Sequence, residues 1–260
     1  GTLEVKGDFT EDCSTGSLEY EVKTELSDGF SKMNIILSGD KIQKVNITKP
    51  FNHKFINDSK NETYGSLCNL KVTGKGITSE TGLNIYELES DLKIEGDLPY
   101  LYIHGWNGKK IECEGDITLQ GNQSIDGSIM VNGNLNIDGT MNMVDDARMI
   151  IEKDMILNPS SAERFSVGKG RIEVGGDFNS QYPASLKMED ESGYILVNGN
   201  LNIDNCNYSG QSYLCAGTLE VKGDFTEDIS DYDVKTELSD GFSKMNIIPV
   251  SYTHLTLPTT

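Results

Sequence analysis

The chain has 260 residues, of which 36% are hydrophobic, and its 22 basic and 41 acidic residues give a net charge of −19. This charge repels nucleic acids and anionic membranes, and the low apolar content excludes a conventional thick core. No apolar run approaches the roughly 20 residues of a membrane helix, so we expect neither a nucleic-acid partner nor membrane insertion.

The first sequence element returns near the other end of the chain. GTLEVKGDFTED begins at Gly1 and again at Gly217, and VKTELSDGFSKMNII occurs at 22–36 and 234–248. The segment between these blocks is four residues shorter in the second copy, which places that segment in a surface loop. We expect a segment of a longer multi-repeat protein, with the second copy continuing over 229–248.

Residues 1–91 predict degenerate coils interrupted by long loops. IILSGDKI at 35–42 and LKVTGKGI at 70–77 are imperfect versions of a motif that is regular further along the chain. The polar stretch at 52–66 predicts a long loop or a small protruding subdomain.

That motif is apolar, any, apolar, any, usually Gly, then Asp or Asn, then apolar. Its eight copies are LEVKGDF (3–9), LKIEGDL (92–98), IECEGDI (111–117), IMVNGNL (129–135), MIIEKDM (149–155), IEVGGDF (172–178), ILVNGNL (195–201) and LEVKGDF (219–225). The three apolar positions predict inward columns, and the Gly-Asp or Gly-Asn step predicts a corner, because Gly accepts positive φ. Lys153 replaces Gly in one copy, which predicts a locally different or strained backbone there.

The spacing of the corners predicts the fold class. From residue 92 to residue 228 the Asp or Asn positions recur every 18–24 residues, which suits one coil of three short strands and three bends. We therefore predict an all-β parallel β-solenoid, or β-helix, that is regular over 92–228. A string of antiparallel β-sandwich modules is the competing architecture.

The five cysteines, at 13, 68, 113, 206 and 215, form no C-x-x-C pair and no zinc-type spacing. We interpret them as packing residues. Cys206 and Cys215 are close enough in sequence to bridge across a loop, but spacing alone leaves this open.

The stretch YLYIHGWNG at 100–108 holds the only Trp and supplies the carbohydrate-binding candidates Tyr100, Tyr102 and Trp106. Exposed aromatic rings can stack on a sugar. Strand alternation would instead turn part of this run inward, and GWNG is typical of a turn between strands.

Asp145 and Asp146 form a carboxylate pair near Arg148, which invites comparison with pectin-degrading β-helices. Polygalacturonases carry Asp-Asp, Gly-His-Gly and Arg-Ile-Lys in that order, whereas here IHG (103–105) precedes the acids and RIE (171–173) replaces the basic motif. We therefore predict no catalytic residues and no enzymatic activity, with Asp145 and Asp146 in a solvated turn.

Acidic side chains cluster in MEDES (188–192) and TEDISDYD (226–233). Hard cations favour several oxygen ligands, so these clusters are candidate sites for Ca²⁺ of low affinity, and we expect no other cofactor. The candidate ligands are Glu189, Asp190, Glu191, Asp228, Asp231 and Asp233. The other interpretation is solvated surface charge, because neither cluster has EF-hand spacing.

The last twelve residues, PVSYTHLTLPTT at 249–260, have no counterpart in the first copy and contain no acid, lysine or arginine. They resemble the translation of a sequencing adapter, so we treat them as a non-native tail.

SYLCAGTLEVKGDFTE (212–227) and FSKMNIILSGDKIQKVNI (30–47) resemble the long repeats of large surface or secreted proteins of anaerobic Gram-positive bacteria. The resemblance implies a non-catalytic structural or adhesin-like segment at the cell surface or outside the cell. Its implied partners are neighbouring repeats of the same chain and cell-wall or host glycans. The alternative is a carbohydrate-binding or carbohydrate-active β-helix of the polysaccharide lyase or hydrolase type.

Overall fold

A computed structural model describes most of the chain as strands that wind into one stack. The described residues are 1–11, 33–47, 68–158, 164–181, 183–204, 212–228, 236, 238 and 246–249. They form 27 strands in three sheets, and every strand pair is parallel. The predicted parallel β-solenoid is confirmed, and the alternative prediction of antiparallel β-sandwich modules is wrong.

Sheets I and II contain eleven strands each. In stacking order, sheet I comprises β1 (Thr2–Val5), β3 (Met33–Leu37), β5 (Cys68–Val72), β7 (Leu83–Leu88), β9 (Leu98–Gly105), β11 (Ile117–Gln120), β14 (Leu135–Asp138), β17 (Met155–Leu157), β20 (Phe178–Ser180), β23 (Leu201–Asp204) and β26 (Phe225–Asp228). Sheet II comprises β2 (Phe9–Glu11), β4 (Gln43–Ile47), β6 (Ile77–Thr78), β8 (Leu92–Ile94), β10 (Lys110–Cys113), β13 (Ser128–Val131), β16 (Arg148–Ile151), β19 (Arg171–Val174), β22 (Tyr194–Val197), β25 (Thr218–Val221) and β27 (Asn246–Pro249).

Sheet III has five strands, and it begins only midway along the stack. Its members are β12 (Gln123–Ile125), β15 (Met141–Met143), β18 (Arg164–Ser166), β21 (Ser185–Met188) and β24 (Tyr213–Leu214). The predicted three strands per coil therefore hold from β11 onward. The described parts of the earlier coils contribute one strand each to sheets I and II.

The predicted inward columns are confirmed from residue 92 onward. In sheet II the first and second apolar positions of successive motifs are register partners, as in Ile172↔Ile195 and Val174↔Val197. In sheet I the third position stacks in the same way, as in Phe178↔Leu201. These side chains fill one continuous hydrophobic core.

The first copy of the motif occupies different sheets from the other seven. Its strand β1 lies in sheet I and β2 in sheet II, whereas the identical residues of β25 and β26 lie in sheets II and I. Corners in the first third of the stack thus lead from sheet I to sheet II, and the later motif corners lead from II to I. A shared sequence motif therefore specifies the corner and leaves open which sheet it begins from.

The Asp or Asn of each later corner forms a hydrogen-bonded ladder along the stack. The side-chain oxygen of each residue but the last accepts the backbone N–H of its equivalent one coil further on, at 2.7 to 3.2 Å. The ladder contains Asp97, Asp116, Asn134, Asp154, Asp177, Asn200 and Asp224. Each bond satisfies a backbone donor that the turn would otherwise leave to water.

The ladder explains the corner glycines differently from the sequence prediction. Positive φ occurs at Gly96, with 77°, but Gly199 and Gly223 do not adopt it. A Cβ on Gly223 would lie 2.5 Å from Asn200 Oδ1, so Gly is required because successive corners approach closely. Lys153 does not have positive φ, and its neighbour Asp154 makes the longest ladder bond, 3.2 Å to Asn134.

Several predictions fall outside the described residues. These are the loop at 52–66, Cys13, the pairing of Cys206 with Cys215, and the tail beyond Pro249. Strand β27 ends at Pro249, the first residue assigned to that tail. Within the described ranges, no helix is long and apolar enough to cross a membrane.

Candidate functional site

The outward face of sheet I carries an aromatic pair that spans two coils. The rings of Tyr86 on β7 and His104 on β9 are stacked, with centroids 4.6 Å apart and planes 12° apart. Tyr102 lies on the same outward face of β9, two residues before His104, and its register partner on β7 is Asn84. His104 is exposed, and Tyr86 and Tyr102 are half-buried. We call Tyr86, Tyr102 and His104 the aromatic patch.

The predicted carbohydrate platform is not formed as a unit. Tyr100 and Trp106 are buried, with 7% and 1% of their surfaces exposed, so neither ring can stack on a sugar. Trp106 instead donates its indole N–H to Oε1 of the buried Gln123, at 3.1 Å, where sheet III begins. Of the three predicted residues, only Tyr102 lies on an outward face.

A β-bulge explains why simple alternation misplaced these rings. Register between β9 and β11 shifts between Leu98↔Ile117 and Leu101↔Leu119, so β9 has one extra residue there. Leu98, Tyr100 and Leu101 are all buried as a result, and Tyr102 then faces outward. Sequence analysis missed Tyr86 because its partner His104 is a neighbour only through the stacking of coils.

The predicted turn in GWNG is confirmed. Asn107 and Gly108 have φ of 55° and 64°, and the N–H of Lys109 bonds the carbonyl of Trp106 at 3.1 Å. Positive φ at both central residues is the reason that Asn-Gly suits this position.

Asp145 and Asp146 lie on a comparable exposed turn. Asp145 has φ of 53°, and the N–H of Ala147 bonds the carbonyl of Val144 at 3.2 Å. Among the described contacts, no ion pair joins either acid to Arg148. The position agrees with the solvated turn that the sequence predicts.

The guanidinium groups near this turn are held by a different acid. On the outward face of sheet II, Arg148 and Arg171 both donate to Oε1 of Glu173, at 3.0 and 2.8 Å. Arg171 also lies over the ring of Tyr194, 4.0 Å from its centroid, and the Tyr194 hydroxyl donates to Glu220 at 2.7 Å. Arg171, followed by Arg148, lowers the pKa of Glu173. This network links four coils and keeps Glu173 charged.

A groove of about 240 Å³ lies where sheet II is narrowest. Strand β6 has only two residues there, and three lysines, Lys75, Lys93 and Lys110, line the groove. Lys93 pairs with Glu114 at 2.8 Å, and Lys110 pairs with Glu112. The groove is thus nearly neutral, despite its lysines.

The predicted metal ligands are not assembled in the described part of the chain. Glu189 and Glu191 are exposed, and Asp190 accepts the N–H of Ser192 at 2.9 Å, as in an ordinary turn. Asp228 lies on β26 in sheet I, and Asp231 and Asp233 lie outside the described residues. No group of three or more His, Cys, Asp or Glu within the described ranges could hold a metal ion.

The described thiols pack in the core. Burial raises the pKa of Cys68 to about 12 and that of Cys113 to about 11, so both are protonated and unreactive at neutral pH. Their position agrees with the packing role that the sequence predicts.

Comparison with family models, curated proteins and solved structures finds no match to this chain.

Proposed function

We propose that this chain is a non-catalytic, rod-like structural or adhesin-like repeat segment of an extracellular or cell-surface protein. One observation supports the proposal most strongly. The repeated sequence pairs in the same register at both ends of the stack, with Leu3↔Ile35 in the first copy and Leu219↔Ile247 in the second. Addition of further units would therefore lengthen one continuous stack.

The outward faces support a role without catalysis. The guanidinium groups of Arg148 and Arg171 both pair with Glu173, and Asp145 and Asp146 occupy an exposed turn. A hydrolase or lyase of acidic polysaccharides needs an acid or base aimed into a substrate groove.

The experiment is a turnover assay of residues 1–248 on a panel of neutral and uronic acid polysaccharides. We expect no product above that of a matched sample with Asp145→Asn and Asp146→Asn. Turnover that those two substitutions abolish would contradict the proposal.

Glycan binding is the second candidate, and the aromatic patch favours it. The stacked Tyr86–His104 pair and Tyr102 place aromatic side chains on an outward face, and sheet I continues on both sides of them as a path for a sugar chain. Neutral glycans suit it best, because the acidic protein repels anionic ones.

Binding to insoluble neutral polysaccharides would be measured by co-sedimentation of wild type, Tyr86→Ala and Tyr213→Ala. Tyr213 is the control because its ring lies on sheet III, with Lys187 Nζ 4.2 Å from its centroid. Loss of binding in Tyr86→Ala alone supports the candidate. Equal binding by all three proteins would contradict it.

A further inference from the structure

The two copies of the repeat allow the same residues to be compared with and without a preceding coil. Residues 1–11 and 217–227 are identical. Leu219 is fully buried, whereas its equivalent Leu3 is 36% exposed. The difference therefore arises from what lies against each copy.

In the second copy, β22 and β23 supply the cover. Strand β25 lies on β22 with Leu219 opposite Ile195, and β26 lies on β23 with Phe225 opposite Leu201. Four backbone N–H groups of the second copy, at Thr218, Lys222, Gly223 and Asp224, donate to this preceding coil, at 2.8 to 2.9 Å.

On the opposite side the two copies are alike. Strand β3 pairs with β1 through Thr2↔Asn34 and Leu3↔Ile35, and β27 pairs with β25 through Thr218↔Asn246 and Leu219↔Ile247. The strands β1 and β2 are the first of sheets I and II, so in the described structure no strand covers their other side. That uncovered side is the side against which the second copy places β22 and β23.

We propose that the edge formed by β1 and β2 is a docking surface for the last regular coil, β22 and β23, of another long unit of this sequence. Identical residues, each followed by a strand that pairs in the same register, present the same donors and the same apolar columns, so they accept the same preceding coil. In a free second chain that coil is already covered by its own β25 and β26, so the occupant is a unit that precedes Gly1 in one polypeptide.

The junction also changes the sheet to which each strand of the repeat belongs. Within this chain β22 pairs with β25 inside sheet II, whereas β1 belongs to sheet I, so seating β22 of a preceding unit against β1 would continue sheet II of that unit into sheet I of the next. Successive units would then present the aromatic patch, and the Arg148–Glu173–Arg171 network, on alternating sides of the rod. Such a rod would offer each surface in two directions.

The first test uses amide hydrogen exchange, measured by NMR, in residues 1–248. Lys6, Gly7 and Asp8 have the same sequence neighbours as Lys222, Gly223 and Asp224, so their intrinsic exchange chemistry is the same. We expect the amides of the second set to exchange at least about tenfold more slowly, because only this set donates hydrogen bonds to a preceding coil. Equal rates in the two sets would overturn the proposed difference in cover.

The decisive test places a copy of residues 183–216 before Gly1 of the same chain. We expect the amides of Lys6, Gly7 and Asp8 to slow to the rates of Lys222, Gly223 and Asp224. The matched control is the same extension with the positions copied from Ile195 and Leu201 changed to Asp, which cannot bury against Leu3 and Phe9. Protection in the intact extension alone supports the proposal; rates unchanged by it, or equal protection by both extensions, would overturn it.

The proposed change of sheet at the junction is tested in the same protein by disulfide formation between outward-facing residues. In the chain itself, Leu196→Cys should cross-link to Glu220→Cys, because these residues are register partners. In the extended chain, the cysteine copied from position 196 should cross-link to Glu4→Cys, and failure there with success at 220 would contradict the change of sheet. The inference rests on the repeat role proposed above, but neither readout depends on whether the protein turns over a polysaccharide.

Discussion

Tyr100 carries a hydroxyl group that is buried without a hydrogen-bond partner among the described residues. Burial also raises the pKa of this hydroxyl to about 12, so it stays protonated. We expect Tyr100→Phe to raise the free energy of unfolding by about 1 kcal/mol, because the ring still packs and the unsatisfied group is gone. Urea unfolding measures the change.

The control for this substitution is Tyr194→Phe. The Tyr194 hydroxyl donates to Glu220 at 2.7 Å on the surface, so its removal should destabilise slightly or have no effect. A clear loss of stability in Tyr100→Phe would show that its hydroxyl has a partner.

Leu3 and Leu219 give a second prediction at this scale, because they share their sequence neighbours and differ in burial. Leu219→Ala should reduce the free energy of unfolding by about 2–5 kcal/mol, as for a buried leucine. Leu3→Ala should cost less than about 1 kcal/mol, because Leu3 is 36% exposed. Chemical denaturation of both variants tests this, and equal costs would contradict the assigned burial.

Individual inward positions could be predicted from the sequence, but individual site residues could not. Val174 and Val197 follow from a motif that repeats at one coil length, and the structure pairs them. The exposure of Tyr102 depends on a bulge in β9, and the pairing of Tyr86 with His104 depends on which coils are neighbours. Neither property is encoded in local spacing.

At the scale of the element, the corner is the feature that sequence repetition preserves. Gly7 and Gly223 occupy the same place in identical sequences, but a Cβ on Gly7 would meet nothing within 4 Å, and one on Gly223 would press on Asn200 Oδ1 at 2.5 Å. We expect Gly223→Ala to reduce the free energy of unfolding by about 1–3 kcal/mol, and Gly7→Ala to be nearly neutral. Thermal melting of the two variants measures the difference, and equal losses would mean that backbone conformation, and not the ladder, requires glycine.

The ladder itself should be sensitive to acid. The pKa of Asp116 is lowered, chiefly because its carboxylate accepts the backbone N–H of Asn134. A carboxyl group whose pKa is lower in the folded state stabilises the fold above its unfolded pKa of about 3.9, and this contribution is lost as pH falls through the lower folded value.

We therefore expect the unfolding midpoint of wild type, relative to Asp116→Asn, to be constant between about pH 5 and pH 7 and to fall below about pH 4. Asn is the appropriate comparison because Asn134 and Asn200 already form rungs of this ladder. Parallel pH profiles for the two proteins would contradict the assigned role of the carboxylate.

The identical corners also show which structural properties the repeated motif does not determine. The spacing predicts that Gly-Asp marks a bend, but identical residues lead from sheet I to sheet II at β1 and from II to I at β25. The sheet depends on how many strands have preceded the motif, which residues 3–9 cannot encode. The requirement for glycine at position 223 likewise comes from the close approach of the preceding coil, and not from the motif itself.

At the scale of the whole molecule, the described strands form one stack with one core. Strand β25 is the tenth of sheet II, so nine full coils and one corner separate it from the identical strand β1. At about 4.8 Å per coil, one long unit rises by roughly 45 Å. A long unit that ends partway around a coil would make each added unit both lengthen and turn the rod.

Small-angle X-ray scattering tests this central claim most directly, by comparing residues 1–248 with a protein in which residues 1–216 are duplicated in tandem. The maximum dimension should increase by roughly 45 Å, with an unchanged cross-sectional radius of gyration. A wider cross-section, or an increase in length that is clearly smaller, would contradict a continuous solenoid and indicate separately folded or back-packed units.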